Sequence, residues 1–253
     1  MGKSNQSTQE INSQAQNPLG TAPVGGLIAK FAIPAIISML VSAMYNIVDQ
    51  IFIGQGVGML GNAATNVAFP VTTIATALAL LLGIGGASNY NLEMGAGQEK
   101  KASGIAGTAL SSLVISGLIL AVIALVFLKP LLTLFGATTD VMPYAVDYTG
   151  ITALGLPFYI LSVGGNHVVR ADRSPTYSMT CIMIGAIINT ILDPVFIFVF
   201  GWGIKGAAWA TVIGQVVSGV LVIVYFWKFR NMYLTGAMLK PKMPYLKAII
   251  SLG

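Results

Sequence analysis

The sequence predicts an all-α membrane protein, a bundle of six transmembrane helices, and three observations support this fold class. Charged residues make up 8% of the 253 residues, whereas soluble domains carry about 25%. Hydrophobic residues make up 55%, and the mean hydropathy is +0.81. Six apolar stretches are each long enough to cross a bilayer. The composition excludes a soluble enzyme, a disordered chain and a nucleic-acid binder, and the single Cys181 excludes a disulfide framework.

The chain opens with a polar segment, residues 1–26, which is rich in Gln, Asn and Ser and contains Pro18 and Pro23. It lacks the apolar run of a signal peptide. Its low hydrophobicity predicts a flexible cytoplasmic tail.

Six apolar stretches follow the tail. A bilayer core about 30 Å thick needs about 20 apolar residues in a helix that rises about 1.5 Å per residue. The stretches that meet this requirement are 27–54, 63–91, 104–128, 144–166, 176–200 and 206–228. They lack the strict alternation of barrel strands, so each is predicted to be a helix. Together they form one predicted membrane lobe over residues 27–228, with spans numbered one to six.

The basic residues predict the orientation of the spans. If the N-terminus is cytoplasmic, an excess of Lys and Arg falls on the cytoplasmic side, which is the usual topology signal. The cytoplasmic bases are Lys3, Lys30, Lys100, Lys101, Arg170, Arg173, Lys228, Arg230, Lys240, Lys242 and Lys247, and only Lys129 and Lys205 fall outside. Both ends of the chain are therefore predicted to be cytoplasmic.

Two carboxylates inside spans are the strongest functional signal. A charge at the bilayer centre costs about 2.5–3.5 kcal/mol on insertion scales, and it generally faces a cavity or a partner. Asp49 of span one and Asp193 of span five both lie on the order of 8–12 Å below the outer surface, at about 1.5 Å per residue. The other acids, Asp172 among them, lie in loops or at interfaces, where solvation is expected.

Other polar side chains reach the same depth. Thr211 of span six and Asn66 of span two fall within this layer, and Asn189 lies one turn below Asp193 on the same helix face. In one interpretation these groups hydrogen-bond neighbouring helices and hold the bundle together. In the other they form a proton site or a site for a hard cation such as Na⁺, which prefers oxygen ligands. The paired intramembrane acids favour the second interpretation.

Two prolines are candidate hinges. Pro34 and Pro194 lie in spans one and five, and each removes a backbone hydrogen bond from its helix. In transporters such breaks line the binding site and permit bending. Prolines are also common in membrane helices that do not bend, so this alternative stays open.

Five segments resemble the N-terminal half of the multidrug and toxic-compound extrusion (MATE) family, in its bacterial multidrug-efflux branch. They are 33–36 (IPAI), 45–54 (YNIVDQIFIG), 171–175 (ADRSP), 189–198 (NTILDPVFIF) and 206–211 (GAAWAT). The similarity covers about residues 27–253 and leaves out only the tail.

The resemblance implies a V-shaped bundle of twelve helices, in which two six-helix lobes surround a central cavity. It also implies alternating-access exchange of Na⁺ or H⁺ for amphiphilic, often cationic drugs. Four positions match the family's ion site and two match its cavity, and Asn66 joins the cavity set by its depth. The ion-site positions are Asp49, Asn189, Asp193 and Thr211, and the cavity positions are Tyr45 and Asn166.

The chain has six spans, whereas the resemblance implies twelve. Residues 229–253 are predicted to be a cytoplasmic connector and the start of a second lobe. A longer parent chain or a partner chain would supply the rest of that lobe.

The predicted function is cation-coupled drug export across a bacterial inner membrane, with no enzymatic activity. The coupling ion is the only expected cofactor, and the expected partners are drugs, membrane lipids and the second lobe, without nucleic acid. A lipid-linked oligosaccharide flippase is one alternative, but it needs basic groups in the cavity, and the spans contain almost none. A truncated module that binds a partner without transport is another. His167, at the inner end of span four, is expected to be an interfacial side chain.

Overall fold

The computed structural model describes residues 24–229, 231–232 and 234–253. In this part of the chain all regular structure is helical. The α-helices are α1 (Val24–Gly56), α2 (Met59–Gly95), α3 (Glu99–Val126), α4 (Leu128–Leu134), α5 (Met142–Ala171), α6 (Pro175–Pro194), α7 (Gly203–Val224) and α8 (Met243–Leu252). π-Helical turns extend α6 over Val195–Val199 and α7 over Tyr225–Phe229, and a 3₁₀ turn spans Gly236–Leu239. The predicted tail lies outside the described residues, except for its last three, which belong to α1.

The six predicted spans are confirmed. The helices long and apolar enough to cross a membrane are Ala32–Gly56, Met59–Gly95, Glu99–Val126, Met142–Ala171, Pro175–Val199 and Gly203–Lys228. The fourth span is longer than predicted, because polar residues end the apolar stretch at 166 but no Gly or Pro ends the helix before Asp172. Arg170 therefore lies on α5 and not in a loop.

Helix α5 lies at the centre of the bundle and packs against α2, α3 and α7. Glycines allow a very close approach of α2 and α5. A Cβ atom built on Gly83 of α2 would lie 2.5 Å from both the Cα and the carbonyl O of Gly164 on α5. No side chain can be accommodated at this distance, so the packing of α2 against α5 requires glycine at position 83.

Helix α1 stands apart from α2 over much of its length. It packs mainly against α6 and has few contacts with α2. Ile33, Ile36 and Leu40 on its outer face are exposed, as expected for a helix that meets lipid or another membrane segment. The hydrogen bond that Thr65 Oγ1 donates to Gln50 Oε1, at 3.1 Å, joins α1 and α2 near one end. The remaining space between the helices is a cavity.

The expectation that Asp172 is solvated is wrong. Asp172 is 1% exposed, in the turn between α5 and α6. Its carboxylate accepts hydrogen bonds from Tyr90 Oη at 3.2 Å, Tyr225 Oη at 2.7 Å and the backbone N–H of Asn231 at 2.7 Å. The two tyrosines come from α2 and from the turn that follows α7, and they close over the carboxylate. Asp172 thus ties the chain after α7 to the α5–α6 turn.

Helix α8 packs antiparallel to α2. Asn89 Nδ2 donates a hydrogen bond to the carbonyl of Ala248 at 2.9 Å, and Gly253 lies against Leu81, about two turns further along α2. Ile249 is fully buried. The helix therefore enters the bundle from the end that carries the α2–α3 and α5–α6 turns, which we call the base-rich end because Lys100, Lys101, Arg170 and Arg173 lie there. Its role as the start of a second lobe stays a prediction.

Candidate ion and cavity site

The two intramembrane carboxylates meet. Asp49 on α1 is 7% exposed, and Asp193 at the end of α6 is fully buried. Their carboxyl groups lie within hydrogen-bonding contact of each other. Their positions along the predicted spans placed both carboxylates at the same depth. The structure adds that the packing of α1 against α6 brings them into direct contact.

Asn189 and Thr211 complete the cluster. Asn189 Nδ2 lies 3.4 Å from Asp193 Oδ1 and 3.5 Å from Thr211 Oγ1. With its amide turned over, Asn189 donates to Asp193 Oδ2 at 3.3 Å and accepts from the backbone N–H of Thr211 at 3.2 Å. In either orientation the amide bridges α6 and α7, so the four predicted ion-site residues lie together.

Two glycines bring α6 and α7 close enough for this bridge. A Cβ atom on Gly185 of α6 would lie 2.9 Å from the carbonyl O of Gly214 on α7. A Cβ atom on Gly214 would in turn lie 2.8 Å from the carbonyl O of Gly185 and 3.1 Å from Asn189 Cβ. The Gly185–Gly214 contact therefore sets the distance between Asn189 and Thr211.

A cavity of about 540 Å³ lies between α1, α2, α5 and α7 and reaches Asp49 of the carboxyl pair. Asp49 and three other predicted residues, Tyr45, Asn66 and Thr211, line it. Asn66 is exposed along this wall, so it borders the cavity without joining the Asp49–Asp193 cluster. The predicted cavity residues of α1 and α2 are thus placed on one surface.

A second cavity, of about 290 Å³, extends toward the base-rich end between α1, α5, α6 and α7. Tyr45 and Thr211 border both cavities, and Asn166 lines the second one. His167 and Arg170 line it too. The interfacial placement of His167 stays a prediction. The cavity wall carries two basic side chains, although the predicted spans contain almost none. The reason is the extra turn of α5 beyond residue 166.

Several buried oxygen atoms around the two cavities have no hydrogen-bond partner among the residues that the structure describes. They are Asp49 Oδ1, Thr149 Oγ1, Asn166 Oδ1 and Gln215 Oε1. Buried polar atoms are nearly always satisfied, so unmade bonds mark places for a ligand, an ion or water. All four atoms can accept a hydrogen bond or coordinate a hard cation, and none is a soft ligand.

Three residues that line the cavities were not predicted from the sequence. Tyr148 lines the larger cavity, as Thr211 does. Gln215 and Tyr159 line both cavities, and Tyr159 Oη lies 2.8 Å from Thr76 Oγ1. Sequence signals existed for two of the three, because Gln215 lies one turn after Thr211 and Tyr148 lies near the outer end of its span, at the depth of Asp49.

The two candidate hinges differ in their local structure: the helix is irregular after Pro194 and continuous through Pro34. Pro194 is the last residue of the α-helical part of α6, and the π-helical turn follows it directly. Pro34 lies inside α1, where its carbonyl accepts a hydrogen bond from Ser38 Oγ at 2.7 Å. Bending at either proline stays a prediction.

In the described part of the chain, six membrane-length helices surround a cavity with a buried acid on its wall. This arrangement is typical of multi-span membrane proteins that transport solutes or ions. The comparisons narrow this class. The family model described as MatE matches residues 34–195, and the chain belongs to this family, whose members are membrane transporters.

Curated relatives and solved structures agree with this assignment. The chain is 31% identical over 196 residues to the multidrug export protein MepA of Staphylococcus haemolyticus, covering 78% of this chain and 43% of that protein. It is 33% identical over 215 residues to an FAD transporter of Shewanella oneidensis, covering 81% and 47%. A crystal structure of MATE in the straight conformation superposes with a TM-score of 0.83 at 28% identity, over 89% of this chain and 51% of that one. The chain therefore spans about half the length of the curated relatives it matches.

Proposed function

We propose that this chain is the first lobe of a cation-coupled multidrug antiporter, and that Asp49, Asn189, Asp193 and Thr211 form its coupling site. The observation that carries the proposal is the contact between the Asp49 and Asp193 carboxyl groups in a buried layer. Two touching carboxylates repel each other, so the pair needs a shared proton or a bound cation such as Na⁺. Asp49 Oδ1 has no hydrogen-bond partner among the described residues, so it can accept the proton or coordinate the cation.

The cavity next to the pair supports coupling to a drug. An amphiphilic cation in the 540 Å³ cavity would lie beside Asp49 and near the rings of Tyr45 and Tyr148, which favour a positive charge. The drug and the coupling ion would then compete for the same negative charge. Such competition is the physical basis of antiport, because binding of one favours release of the other.

Alternating access needs more than this lobe. We propose that a second lobe, from a longer parent chain or a partner chain, closes the central cavity against α1, whose outer face is apolar and exposed. Bending of α1 at Pro34 and of α6 at Pro194 would accompany the change. The base-rich end would face the cytoplasm of a bacterium, with the lobe in the inner membrane among its lipids. We propose no cofactor besides the coupling ion.

A second substrate class also has support. One relative is named as an FAD transporter, which points to solutes other than cationic drugs. Arg170 and His167 on the wall of the smaller cavity favour compounds with negative groups. A lipid-linked oligosaccharide flippase and a non-transporting module are the alternatives that the following experiment separates from the antiporter.

The ion dependence of thermal stability tests the coupling site in the purified chain. An ion that binds only the folded state raises the free energy of unfolding by about 2.7 kcal/mol at one hundred times its Kd. We expect the wild-type melting temperature to depend on Na⁺ at fixed pH, or on pH without Na⁺. In either case Asp193→Asn removes the dependence, and Asp140→Asn, at an exposed acid, keeps it. A wild-type chain that responds to neither ion contradicts the proposal.

A further inference from the structure

A groove of about 480 Å³ lies on another side of the bundle, where α3, α5 and the end of α7 meet the segment that follows α7. Leu110 and Val114, one turn apart on α3, contribute to one wall, and Val222 and Phe226, one turn apart at the end of the sixth span, contribute to another. None of the described residues that line the groove lines either of the two cavities near the carboxyl pair. The groove is therefore separate from the candidate ion and cavity site.

The groove is open to the surroundings of the bundle at the edge of the membrane. Trp227 lines it and is 81% exposed, and the lining residues Ile115 and Ile223 are exposed as well. The sixth span ends at Lys228, so Trp227 lies at the base-rich end, in the interfacial zone where tryptophan is enriched. Val222 precedes Lys228 by six residues, so the groove reaches about 9 Å along the span. Its open side faces the place of the surrounding lipid.

The lining of the groove is suited to an acyl chain. Apart from Trp227, only Ser111 and Thr235 bring polar side chains to it among the residues that the structure describes. The hydroxyl of Ser111 already donates a hydrogen bond to the carbonyl of Gly107, at 2.6 Å. A polar solute would lose its hydrogen bonds to water here and find few replacements. An acyl chain has no such bonds to lose.

Two lysines flank the groove. Lys228 directly follows Trp227 in the sequence and Lys240 directly follows Leu239, and both lysines are exposed. Lys240 has no carboxylate within 4.0 Å among the described residues. Lysines at the membrane surface attract anionic lipid head groups. The charge beside the groove therefore complements a negatively charged head group at the bilayer surface.

We propose that this groove is a binding site for an anionic phospholipid. One acyl chain lies between α3 and the end of α7, and the phosphate of the head group pairs with Lys228 and Lys240. Leu234 and Leu239, from the segment after α7, complete the groove, so the bound lipid holds this segment against α3. The site shares no residue with the proposed coupling site, so either proposal can fail without the other.

Trp227 is a natural reporter of this site. The chain has three tryptophans, and the double substitution Trp202→Phe and Trp209→Phe leaves Trp227 alone. This variant is reconstituted in phosphatidylcholine liposomes in which a fixed fraction of the lipid is dibrominated phosphatidylglycerol or dibrominated phosphatidylcholine. Bromine on an acyl chain quenches the fluorescence of a tryptophan that it contacts. We expect phosphatidylglycerol to be preferred at Trp227 by at least about fivefold, and Lys240→Gln to lower this preference by about fivefold, the factor for one surface lysine.

Three further variants, made in the same background, separate the groove from the general charge of the base-rich end. Lys100→Gln removes an exposed lysine at the same end that does not flank the groove, and it should keep the preference. Val114→Phe fills the groove with a ring and should abolish the preference, although both lysines remain. Val122→Phe, at an exposed position two turns further along α3 and outside the groove, should keep it.

The other outcomes overturn the inference. Equal quenching by the two brominated lipids would mean that the groove does not select an anionic head group. A preference that survives Val114→Phe, or that Lys100→Gln lowers as much as Lys240→Gln does, would come from diffuse attraction to the basic surface. Absence of quenching by either lipid would mean that protein covers the groove. Since the lysine substitutions are at exposed positions, their comparison decides the question even if Val114→Phe destabilises the bundle.

Discussion

Ion-driven drug export is expected to stop when Asp193 is replaced by Asn in a two-lobed transporter that contains this chain. The substitution keeps the size of the side chain and its contact with Asn189, but it removes one of the two charges that meet at Asp49. The remaining single carboxylate cannot exchange a cation for a drug in the same way. Ethidium efflux from liposomes under a Na⁺ or H⁺ gradient should fall at least about tenfold, a loss of more than about 1.4 kcal/mol of coupling.

The matched control for this prediction is Asp140→Asn, since Asp140 is an exposed acid that lines neither cavity. It should export ethidium at the wild-type rate. Gradient-dependent efflux that survives Asp193→Asn would exclude Asp193 from the coupling step.

The second large effect is expected in folding, at the crossing of α2 and α5. Gly83→Ala places a methyl group 2.5 Å from the backbone of Gly164, and a backbone, unlike a side chain, cannot rotate away. Overpacking of this kind costs about 1–3 kcal/mol. We expect the central helix α5 to shift and the melting temperature of the chain in detergent to fall.

Gly95→Ala, on the same helix, is the control for this substitution. A Cβ atom at Gly95 meets nothing within 4 Å. Alanine loses less conformational entropy than glycine on folding, so this variant should gain about 0.4–1 kcal/mol. Opposite signs for the two variants support the close α2–α5 packing, and equal effects contradict it.

The sequence predicted the spans and the depth of the carboxylates because both follow from lengths. A bilayer fixes how many apolar residues a span needs, and the helical rise converts position into depth. Asp49, Asp193, Asn189 and Thr211 could therefore be assigned to one layer before any contact was known. The Gly185–Gly214 approach, which brings Asn189 to Thr211, has no such signature, since glycines are frequent throughout the chain.

The burial of Asp172 and the lining of the smaller cavity could not be predicted, because a single sequence gives neither the packing of one helix against another nor the last turn of each helix. Asp172 looked like a loop residue, but Tyr90 and Tyr225 approach it from helices distant in sequence and bury it. Arg170 was used only as a topology signal, and the extra turn of α5 adds that it lines the cavity wall. In both cases tertiary contacts decide whether a charge meets water.

The central claim is that a drug and a cation compete for the carboxyl pair, and the most direct test is cation release from the purified chain on drug binding. The chain is equilibrated with ²²Na⁺ at constant pH, or held unbuffered with a pH indicator, and rhodamine 123 is then added. We predict that the wild-type chain releases Na⁺ or H⁺ as the dye binds, and that Asp193→Asn releases neither. Dye binding with undiminished affinity and no release of either ion from the wild-type chain would contradict the account.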